Sequence, residues 1–295
     1  MKKLFQKKVR ILHHIEVGPG YFRMGLAFPE LAMIARPGQF VMVRLPDGYV
    51  PLLRRPFSVH SLLVEGDEVL GFELLYRVVG QGTQAMSVLK AGDLLDVLGP
   101  LGNGFSCPDG IRDVFLVAGG VGVASLYYLA LFLAEHRGVR PARLASPPAS
   151  PESASGGRWR AGESVAGRPT VFLGGRTAAD ILCQKAFESM DTKVIITTED
   201  GSLGEKGVIT SMVQQAIDVD GKPDMIYACG PTGMLKAISD IAATHDVRCQ
   251  ISLETVMACG LGVCLGCAVP KADGSGAYLH ACTDGPVFDS RAVVI

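Results

Sequence analysis

The first hundred residues alternate short apolar runs with turn-forming dipeptides. The runs are Arg10–Val17, Gln39–Leu45, Val69–Val78 and Leu94–Leu98, and Pro-Gly, Asp-Gly and Gly-Asp pairs separate them. Short apolar runs punctuated in this way are typical of antiparallel β-strands. We therefore predict a small antiparallel β-barrel over residues 1–105.

From Asp113 onward the pattern changes to strands that alternate with helices. Stretches such as Ser125–His136 and Gly207–Ile217 between the strands are predicted to be helical. Such alternation is the signature of a doubly wound parallel sheet with crossover helices, which we place over residues 106–252. The predicted strands are Val114–Val117, Thr170–Leu173, Lys193–Thr198, Met225–Ala228 and Arg248–Ile251.

One apolar stretch meets the length rule for a transmembrane helix, because Val114–Ala134 contains no charged residue. Gly119, Gly120 and Gly122 divide it into a β-branched run and a second, leucine-rich run. A buried strand, a glycine turn and a core helix explain this division better than a membrane span does.

Residues 140–168 differ from both halves, because they are rich in Ser, Pro, Gly and Ala and contain almost no large apolar residue. A segment of this composition cannot bury enough surface to offset its ordering entropy. We predict a flexible surface insertion without a catalytic role.

Composition and charge narrow the functional classes. The formal net charge is −1, and no Lys/Arg cluster is suited to nucleic acid. The basic start of the chain is followed by His13, His14 and Glu16 rather than by the apolar core of a signal peptide. Half of the eight cysteines fall in one short window, which is unlike a disulfide framework, so we expect a cytoplasmic protein without a membrane partner.

The four clustered cysteines have the spacing C-x4-C-x2-C-x14-C. They are Cys259, Cys264, Cys267 and Cys282. The C-x4-C-x2-C run is the plant-type spacing of [2Fe–2S] ligands, and intervening glycines allow the backbone to wrap around a cluster. A structural zinc site normally uses two cysteine pairs, whereas three of these cysteines come from one loop. We predict a small C-terminal [2Fe–2S] module over residues 253–295, with zinc or non-ligating thiols as the alternatives.

Two segments of the β-rich half combine groups that suit phosphate. Arg54-Arg55-Pro56-Phe57-Ser58 places guanidinium and hydroxyl donors on a proline-stiffened turn. The run Leu75-Tyr76-Arg77 is followed by Gly80-Gln81-Gly82-Thr83, which is predicted to open a helix and to favour an anion there. Each segment alone is a weak signal, but their order ahead of a nucleotide-type sheet strengthens both.

Two glycine-containing loops follow predicted strands of the parallel sheet. Gly119-Gly120-Val121-Gly122 precedes a helix, as a dinucleotide-binding turn does, although it lacks the complete G-x-G-x-x-G pattern. Cys229-Gly230-Pro231 also follows a strand, and ligands bind along the carboxyl edge of such sheets. The alternative for both loops is a tight strand–helix turn.

In the order RPFS, LYR, GT, GGVG, CGPTGM and terminal cysteine loop, the chain resembles the ferredoxin-reductase-like flavoproteins. More narrowly, MACG through Cys267, with ACTDGPVF from Ala281, is similar to the electron-transfer subunit of NAD-dependent (type B) dihydroorotate dehydrogenase. The resemblance assigns cluster ligation to the four clustered cysteines. It assigns FAD contacts to Arg55, Pro56, Phe57, Ser58, Leu75, Tyr76, Arg77, Gly82 and Thr83.

The nicotinamide side is less well matched, because Ala124 and Ser125 stand where prolines usually follow the glycine turn. The residues that we assign to the nicotinamide side are Gly120, Gly122, Gly230 and Pro231, with Cys229 close to the flavin.

The resemblance implies a role in pyrimidine (UMP) biosynthesis. An FMN-containing catalytic subunit would oxidise dihydroorotate and send electrons through the cluster and FAD to NAD+. NAD exchanges electron pairs, whereas a [2Fe–2S] cluster passes single electrons. A flavin is therefore required between the cluster and NAD. A (β/α)8 barrel takes about 250 residues, so the catalytic site must lie on a partner, and the family suggests two copies of each chain. The alternatives are an NAD(P)H–ferredoxin-type oxidoreductase subunit with another partner and a non-enzymatic zinc module.

Overall fold

The protein is described by a computed structural model, which covers residues 3–45, 52–108, 110–136 and 167–295. The predicted insertion at 140–168 lies outside the described residues except for Gly167 and Arg168. The first seven strands are β1 (Phe5–Gly18), β2 (Tyr21–Leu26), β3 (Phe40–Arg44), β4 (Arg55–Ser58), β5 (Ser61–Glu65), β6 (Glu68–Arg77) and β7 (Leu94–Leu101). The later strands are β8 (Val114–Gly119), β9 (Thr170–Gly175), β10 (Lys193–Thr198), β11 (Glu205–Lys206), β12 (Met225–Cys229), β13 (Arg248–Ser252), β14 (Ala268–Pro270), β15 (Tyr278–His280) and β16 (Val287–Asp289).

Within the described ranges, six helices and two 3-10 turns lie between these strands. The turns are Gly120–Gly122 and Ala178–Asp180. The helices are α1 (Pro29–Ala32), α2 (Gln81–Ser87), α3 (Val123–His136), α4 (Gln184–Glu188), α5 (Ile209–Asp220) and α6 (Thr232–Thr244).

Strands β1–β7 form an antiparallel sheet in the order β4-β3-β7-β1-β2-β6-β5. The two ends of this order are consecutive in the chain, and the two residues between them bridge the ends. Val59 N–H donates to the Gln39 carbonyl at 3.0 Å, and His60 N–H donates to the Glu73 carbonyl at 2.9 Å. The sheet therefore curves into a barrel in which the chain passes directly from one end strand to the other, and these two bonds extend the β3–β4 and β5–β6 ladders.

The second sheet has the order β11-β10-β9-β8-β12-β13-β16, and its strands are parallel except for β16. Alternate side chains of β8 show how both faces are covered. Val114 and Leu116 pack in one apolar cluster with α3 and α4, whereas Phe115 and Val117 pack in another with α5 and α6. Burial on both faces explains why the strands read as continuous apolar runs.

The C-terminal segment is tied to both sheets. Its last strand, β16, pairs antiparallel with β13. The short hairpin β14–β15 precedes β16 in the chain. The Asn103 side chain, just beyond β7, donates to the carbonyls of Thr283 at 3.2 Å and Asp284 at 2.8 Å. The cysteine-bearing segment thus packs against the rest of the chain on two sides.

The predicted fold class is confirmed, and each predicted strand is present with ends that differ by a few residues. The segment Val114–Ala134 is a strand, a glycine turn and most of α3, as predicted. Within the described ranges, no helix has the length and apolar character that crossing a membrane requires. The pairing of β16 with the parallel sheet was not predicted, and the division at residues 105 and 252 stays a prediction.

Candidate functional site: a cleft between the sheets and a cysteine loop

A cleft of about 390 Å³ lies between the barrel and the carboxyl edge of the parallel sheet, a size within the range of ligand pockets. Nine of its lining residues are those that the resemblance assigned to FAD. They are Arg55, Pro56, Phe57, Ser58, Leu75, Tyr76, Arg77, Gly82 and Thr83. The fold therefore brings together three segments that are separated by up to 28 positions in the sequence.

Aromatic rings pack along the barrel side of the cleft. The buried Tyr76 ring is stacked on Phe22 at 5.7 Å, and the edge of Phe57 meets it at the same centroid distance. The Tyr76 hydroxyl bonds to His14 Nε2 at 2.9 Å, which fixes the ring, and burial raises the pKa of this phenol. The result is a rigid apolar surface suited to a flat ring system.

Two arginines supply positive charge to the same wall. The Arg55 guanidinium donates to the Leu53 carbonyl at 2.6 Å, which holds its side chain at the end of the turn. Arg77 lies over the Tyr21 ring at 5.3 Å and 3.8 Å from Asp180 Oδ1. Planar guanidinium groups held in this way match phosphate oxygens.

The start of α2 forms another part of the wall, where Gly82 and Thr83 lie. The Thr83 hydroxyl accepts from the Val79 N–H at 2.9 Å and the Gly80 N–H at 3.1 Å, and it donates to the Gly80 carbonyl at 3.0 Å. Its only proton is therefore used within the protein. Thr83 shapes the helix start, and a ligand would meet the backbone there rather than this hydroxyl.

The glycine turn and the loop after β12 meet at the centre of the parallel sheet, where β8 and β12 are neighbours. Gly122 and Cys229 line the cleft, and a Cβ atom on Gly122 would collide with the Cys229 carbonyl. Gly120, Gly230 and Pro231 are not in the cleft lining. Pro231 instead packs against Gly119, so these residues close the strand–helix turns beside the cleft.

The Cys229 thiol lies at the bottom of the cleft and is buried. Burial, with the nearby charge of Glu254, raises its pKa to about 12 despite hydrogen bonds with Ser125 and Ser252. The thiol is therefore protonated at neutral pH and is a neutral contact for a ligand rather than a nucleophile.

The end of β13 and the segment after it belong to the site, although the sequence did not predict this. Ser252, Leu253, Glu254, Thr255 and Met257 all line the cleft, opposite the predicted residues. The Thr255 hydroxyl oxygen is buried and has no hydrogen-bond partner within the described ranges. An unpaired buried hydroxyl in the wall is what a site built for a polar ligand contains. The rule that ligands bind at the carboxyl ends of parallel strands could have identified this segment.

The four clustered cysteines are close together as two pairs. Cys267 Sγ lies 3.2 Å from Cys282 Sγ, and Cys264 interacts with the Cys259 thiol. Within the described residues, no group of three or more His, Cys, Asp or Glu is already placed around a single metal ion. These two pairs supply the four thiolates that a two-iron cluster takes, two at each iron, and three of the four lie on one loop, as in plant-type [2Fe–2S] sites.

Backbone N–H groups point at these sulfur atoms. Leu261 N–H lies 3.3 Å from Cys259 Sγ, and Gly262 N–H lies 3.2 Å from Cys282 Sγ. Although burial opposes it, hydrogen bonds from the Leu261, Cys264 and Val263 N–H groups and from the Cys264 side chain lower the pKa of Cys259 to about 6. Burial and the neighbouring Cys267 raise the pKa of Cys282 to about 12. The donor set favours anionic sulfur at one end of the site before any metal is bound.

We call residues Cys259–Cys267 the cluster loop. Gly260 and Gly262 have φ values of +73° and +77°, and a Cβ on Gly262 would lie 2.8 Å from Thr283 Cγ2. Only glycine meets both conditions without strain. A Cβ on Gly260 would lie 2.6 Å from Met42 Cγ, so the loop packs closely against β3 of the barrel.

Two families match the chain. Residues 254–294 match the iron–sulfur cluster binding domain of dihydroorotate dehydrogenase B. Residues 116–240 match the oxidoreductase NAD-binding domain.

Curated relatives extend the match over the full chain. The dihydroorotate dehydrogenase B (NAD(+)) electron transfer subunit of Desulforamulus reducens is 38% identical over 295 residues, with 100% of this chain and 99% of that protein covered. The corresponding subunit of Caldanaerobacter subterraneus subsp. tengcongensis is 35% identical over 98% of this chain and 99% of its own length.

Solved structures give the same fold. An NADH-dependent reduced ferredoxin–NADP oxidoreductase structure, from work on flavin-based electron bifurcation, has a TM-score of 0.76 at 30% identity and covers 97% of this chain and 89% of its own. The ferredoxin reductase of carbazole 1,9a-dioxygenase, at 18% identity, has a TM-score of 0.62 over 83% of this chain and 67% of its own, and it supports the fold alone.

The matched domains and relatives agree with the cofactors predicted from the sequence, which are a [2Fe–2S] cluster, FAD and NAD. The chain belongs to the family of dihydroorotate dehydrogenase B (NAD(+)) electron transfer subunits, which are oxidoreductase components.

Proposed function

We propose that the chain transfers electrons from an FMN-containing dihydroorotate dehydrogenase catalytic subunit to NAD+, in an assembly of two copies of each chain. The family name implies a catalytic partner. The FMN group and the two-plus-two stoichiometry are part of the proposal.

Each cofactor has a proposed set of residues in this chain. Cys259, Cys264, Cys267 and Cys282 hold the cluster, and the nine predicted cleft residues around Arg55–Ser58, Leu75–Arg77, Gly82 and Thr83 hold FAD. Gly120, Gly122, Gly230 and Pro231 form the nicotinamide side, with Cys229 close to the flavin. When bound, the flavin supplies the exchange between electron pairs and single electrons that joins NAD to the cluster.

The observation that carries the proposal is the continuity between the cleft and the cluster loop. Glu254, Thr255 and Met257 line the cleft, and Cys259 follows two residues later. The loop also packs on Met42 of β3, so it lies against the barrel as well as following the cleft segment in the chain. We infer that the two cofactors lie close enough for single electrons to pass between them.

The residues of the chain bind and orient rather than act as acids or bases. The rigid Tyr76–Phe57 surface positions a flat ring, and the neutral Cys229 thiol places no charge against it. The N–H groups of Leu261 and Gly262 hold the cysteine sulfurs in place. Hydrogen bonds to the sulfurs of a bound cluster would raise the reduction potential of that cluster.

The outer face of the cluster loop supports a partner interface. Cys264 is exposed, and its two neighbours in the chain, Val263 and Leu265, are 80% and 57% exposed. Adjacent apolar side chains on an otherwise polar surface are typical of a docking site, and this one lies over the cluster ligands. We infer that the catalytic subunit docks here.

The test is co-purification of the tagged full chain with the FMN protein that oxidises dihydroorotate. We expect dihydroorotate-dependent reduction of NAD+ in the complex, and a measured mass that corresponds to two copies of each chain. A captured partner that lacks FMN, or a complex that does not oxidise dihydroorotate, would contradict the proposal.

A matched pair of variants locates the interface. Val263→Asp should weaken the complex, whereas Val219→Asp on α5, at a valine that is 74% exposed, should not. Equal effects of the two substitutions would rule out docking at the cluster loop.

A second candidate is a subunit of an NAD(P)H–ferredoxin-type oxidoreductase. It is favoured by the 30% identity and the TM-score of 0.76 to the ferredoxin–NADP oxidoreductase structure. The same purification separates the two, because this candidate requires a partner that does not act on dihydroorotate.

A further inference from the structure

Asp180 connects the two sheets of the molecule. It ends the 3-10 turn that follows β9, yet its Oδ1 accepts a hydrogen bond of 2.6 Å from the hydroxyl of Tyr21 on β2 of the barrel. Both side chains are buried, and the two residues are 159 positions apart in the sequence. A short charge-assisted bond of this kind fixes the turn against the barrel.

The other oxygen of the same carboxylate organises the loop at the carboxyl end of β9. Asp180 Oδ2 accepts from the N–H groups of Arg176 at 3.1 Å and Thr177 at 3.3 Å. A Cβ atom on Gly175 would lie 2.8 Å from Asp180 Cβ, so the glycine allows this close approach. The path of the chain through residues 175–177 therefore depends on one carboxylate.

Two arginines flank this carboxylate without being fully bonded to it. Arg77 Nη1 is 3.8 Å from Oδ1, and Arg176 Nε is 3.9 Å from Oδ2. Both distances exceed a normal hydrogen bond, so the charge orients the guanidinium groups and leaves donors for a ligand. Arg77 lines the cleft, and Arg176 lies beyond it at the sheet edge with 65% of its side chain exposed.

We propose that Asp180 is a positioning residue that couples the two ligand sites, because it holds Arg77 at the flavin cleft and sets Arg176 to bind a phosphate of the pyridine nucleotide. Carboxyl ends of parallel strands are where such ligands bind, and β9 ends at this loop. Two guanidinium groups around one carboxylate leave a net positive charge that attracts an anion.

This inference rests on the proposed function, since it gives Arg176 and Asp180 roles in binding the FAD and NAD of that function. Neither residue was among those predicted from the sequence. Loss of Asp180 should weaken the binding of both FAD and NAD+, whereas loss of the Arg176 charge should weaken the binding of NAD+ alone.

The test uses the full-length, FAD-loaded protein and the variants Asp180→Asn and Arg176→Gln. The dissociation constant of NAD+ for the oxidised protein is measured by calorimetry, and release of FAD is followed by the rise of free-flavin fluorescence. We expect each variant to weaken NAD+ binding about tenfold, the effect of losing one charge-assisted contact. Release of FAD should be faster in Asp180→Asn and unchanged in Arg176→Gln.

Tyr21→Phe is the conservative companion, because it removes only the hydroxyl that holds Asp180. It should shift both measurements in the same direction as Asp180→Asn, and the double variant should be no worse than Asp180→Asn alone. Asp220→Asn breaks the exposed Lys193–Asp220 pair at 3.0 Å and is the control for removal of a carboxylate, with both measurements unchanged.

The proposal is overturned if Asp180→Asn binds NAD+ and retains FAD within twofold of the wild type. It is also overturned if Asp180→Asn only lowers the melting temperature, or if the effects of Tyr21→Phe and Asp180→Asn simply add. If Asp180→Asn does not fold, normal ligand binding by Tyr21→Phe overturns it. A wild-type protein that binds neither FAD nor NAD+ would instead refute the proposed function.

Discussion

The cluster loop and the cleft are both candidate cofactor sites, but the chain builds them in opposite ways. The cluster loop brings three of four cysteines together within nine consecutive residues, and local backbone N–H groups hold the sulfurs. The cleft is assembled from segments as far apart as Phe40 and Pro286. Its two sides are joined by long-range contacts such as Tyr21–Asp180 and His60–Ala124.

This difference predicts which perturbations each site can withstand. A change in packing between the sheets should open the cleft and leave the cluster loop intact. A change of backbone conformation within the loop should release metal and leave flavin bound. The four predictions below test that independence, in order of decreasing effect.

Replacement of the exposed ligand should separate the sites completely. Cys264→Ser should abolish electron flow from dihydroorotate to NAD+ in the complex, because one ligand of the proposed cluster is lost, yet FAD should stay bound and reducible by NADH. Iron content measures the cluster, flavin absorbance measures bound FAD, and anaerobic titration with NADH measures whether that FAD is reduced. Cys183→Ser, a cysteine outside the loop, should behave as the wild type, and wild-type dihydroorotate:NAD+ rates in Cys264→Ser would contradict the relay.

Acid should affect the cleft first. His60 Nδ1 bonds to the Ala124 carbonyl at 3.1 Å, and burial, partly offset by Glu73, lowers its pKa to about 4. Between pH 6.5 and 4 the unfolded chain binds a proton that the folded chain excludes, so stability should fall by about 3 kcal/mol as pH is lowered through this window.

Chemical denaturation at several pH values, with FAD release measured in parallel, checks this expectation. His60→Gln should flatten the pH dependence, whereas His245→Gln at the end of α6 should not. The same pH dependence in His60→Gln and the wild type would show that another group is responsible.

A methyl group added to the cluster loop should affect the cluster and spare the cleft. Gly262→Ala forces a left-handed residue against Thr283 and should cost about 1–2 kcal/mol locally. Loss of iron to a chelator should accelerate while FAD is retained. Gly274→Ala is the matched control, since Gly274 has a φ of +73° with nothing within 4 Å of its Cβ position. Equal iron loss in both variants would mean that backbone strain elsewhere in the C-terminal segment, and not the contact with Thr283, controls iron release.

The smallest effect should come from Asn103, which anchors the Cys282 end of the site to the barrel. Asn103→Ala removes the bonds to the Thr283 and Asp284 carbonyls and should cost about 1 kcal/mol. A modest increase in the rate of iron release, with unchanged FAD binding, is expected. Faster FAD release instead would show that the cluster segment and the cleft are not independent.

Much of the site could be predicted from the sequence where chemistry is local. The cysteine spacing predicted a set of thiols that the fold does bring together in two pairs. The nine residues assigned to FAD by resemblance all line one cleft. Thr83 shows the limit, since its presence at a helix start was predicted but the use of its hydroxyl within that start was not.

The second wall of the cleft and the Asp180 network could not be predicted, because neither has a local pattern. Glu254 and Thr255 follow a strand without a glycine motif, and Asp180 resembles any acidic residue in a turn. Their roles arise from what the parallel sheet places opposite them, which is set by packing over more than a hundred residues.

By itself the sequence determined the kinds of element, the fold class and the set of cysteines proposed as cluster ligands, because periodicity and ligand spacing act over a few residues. The tertiary structure decided that the segment after β13 lines the cleft, that β16 joins the parallel sheet, and that one carboxylate links the two sheets. The physical reason is that these features depend on which distant surfaces are buried together.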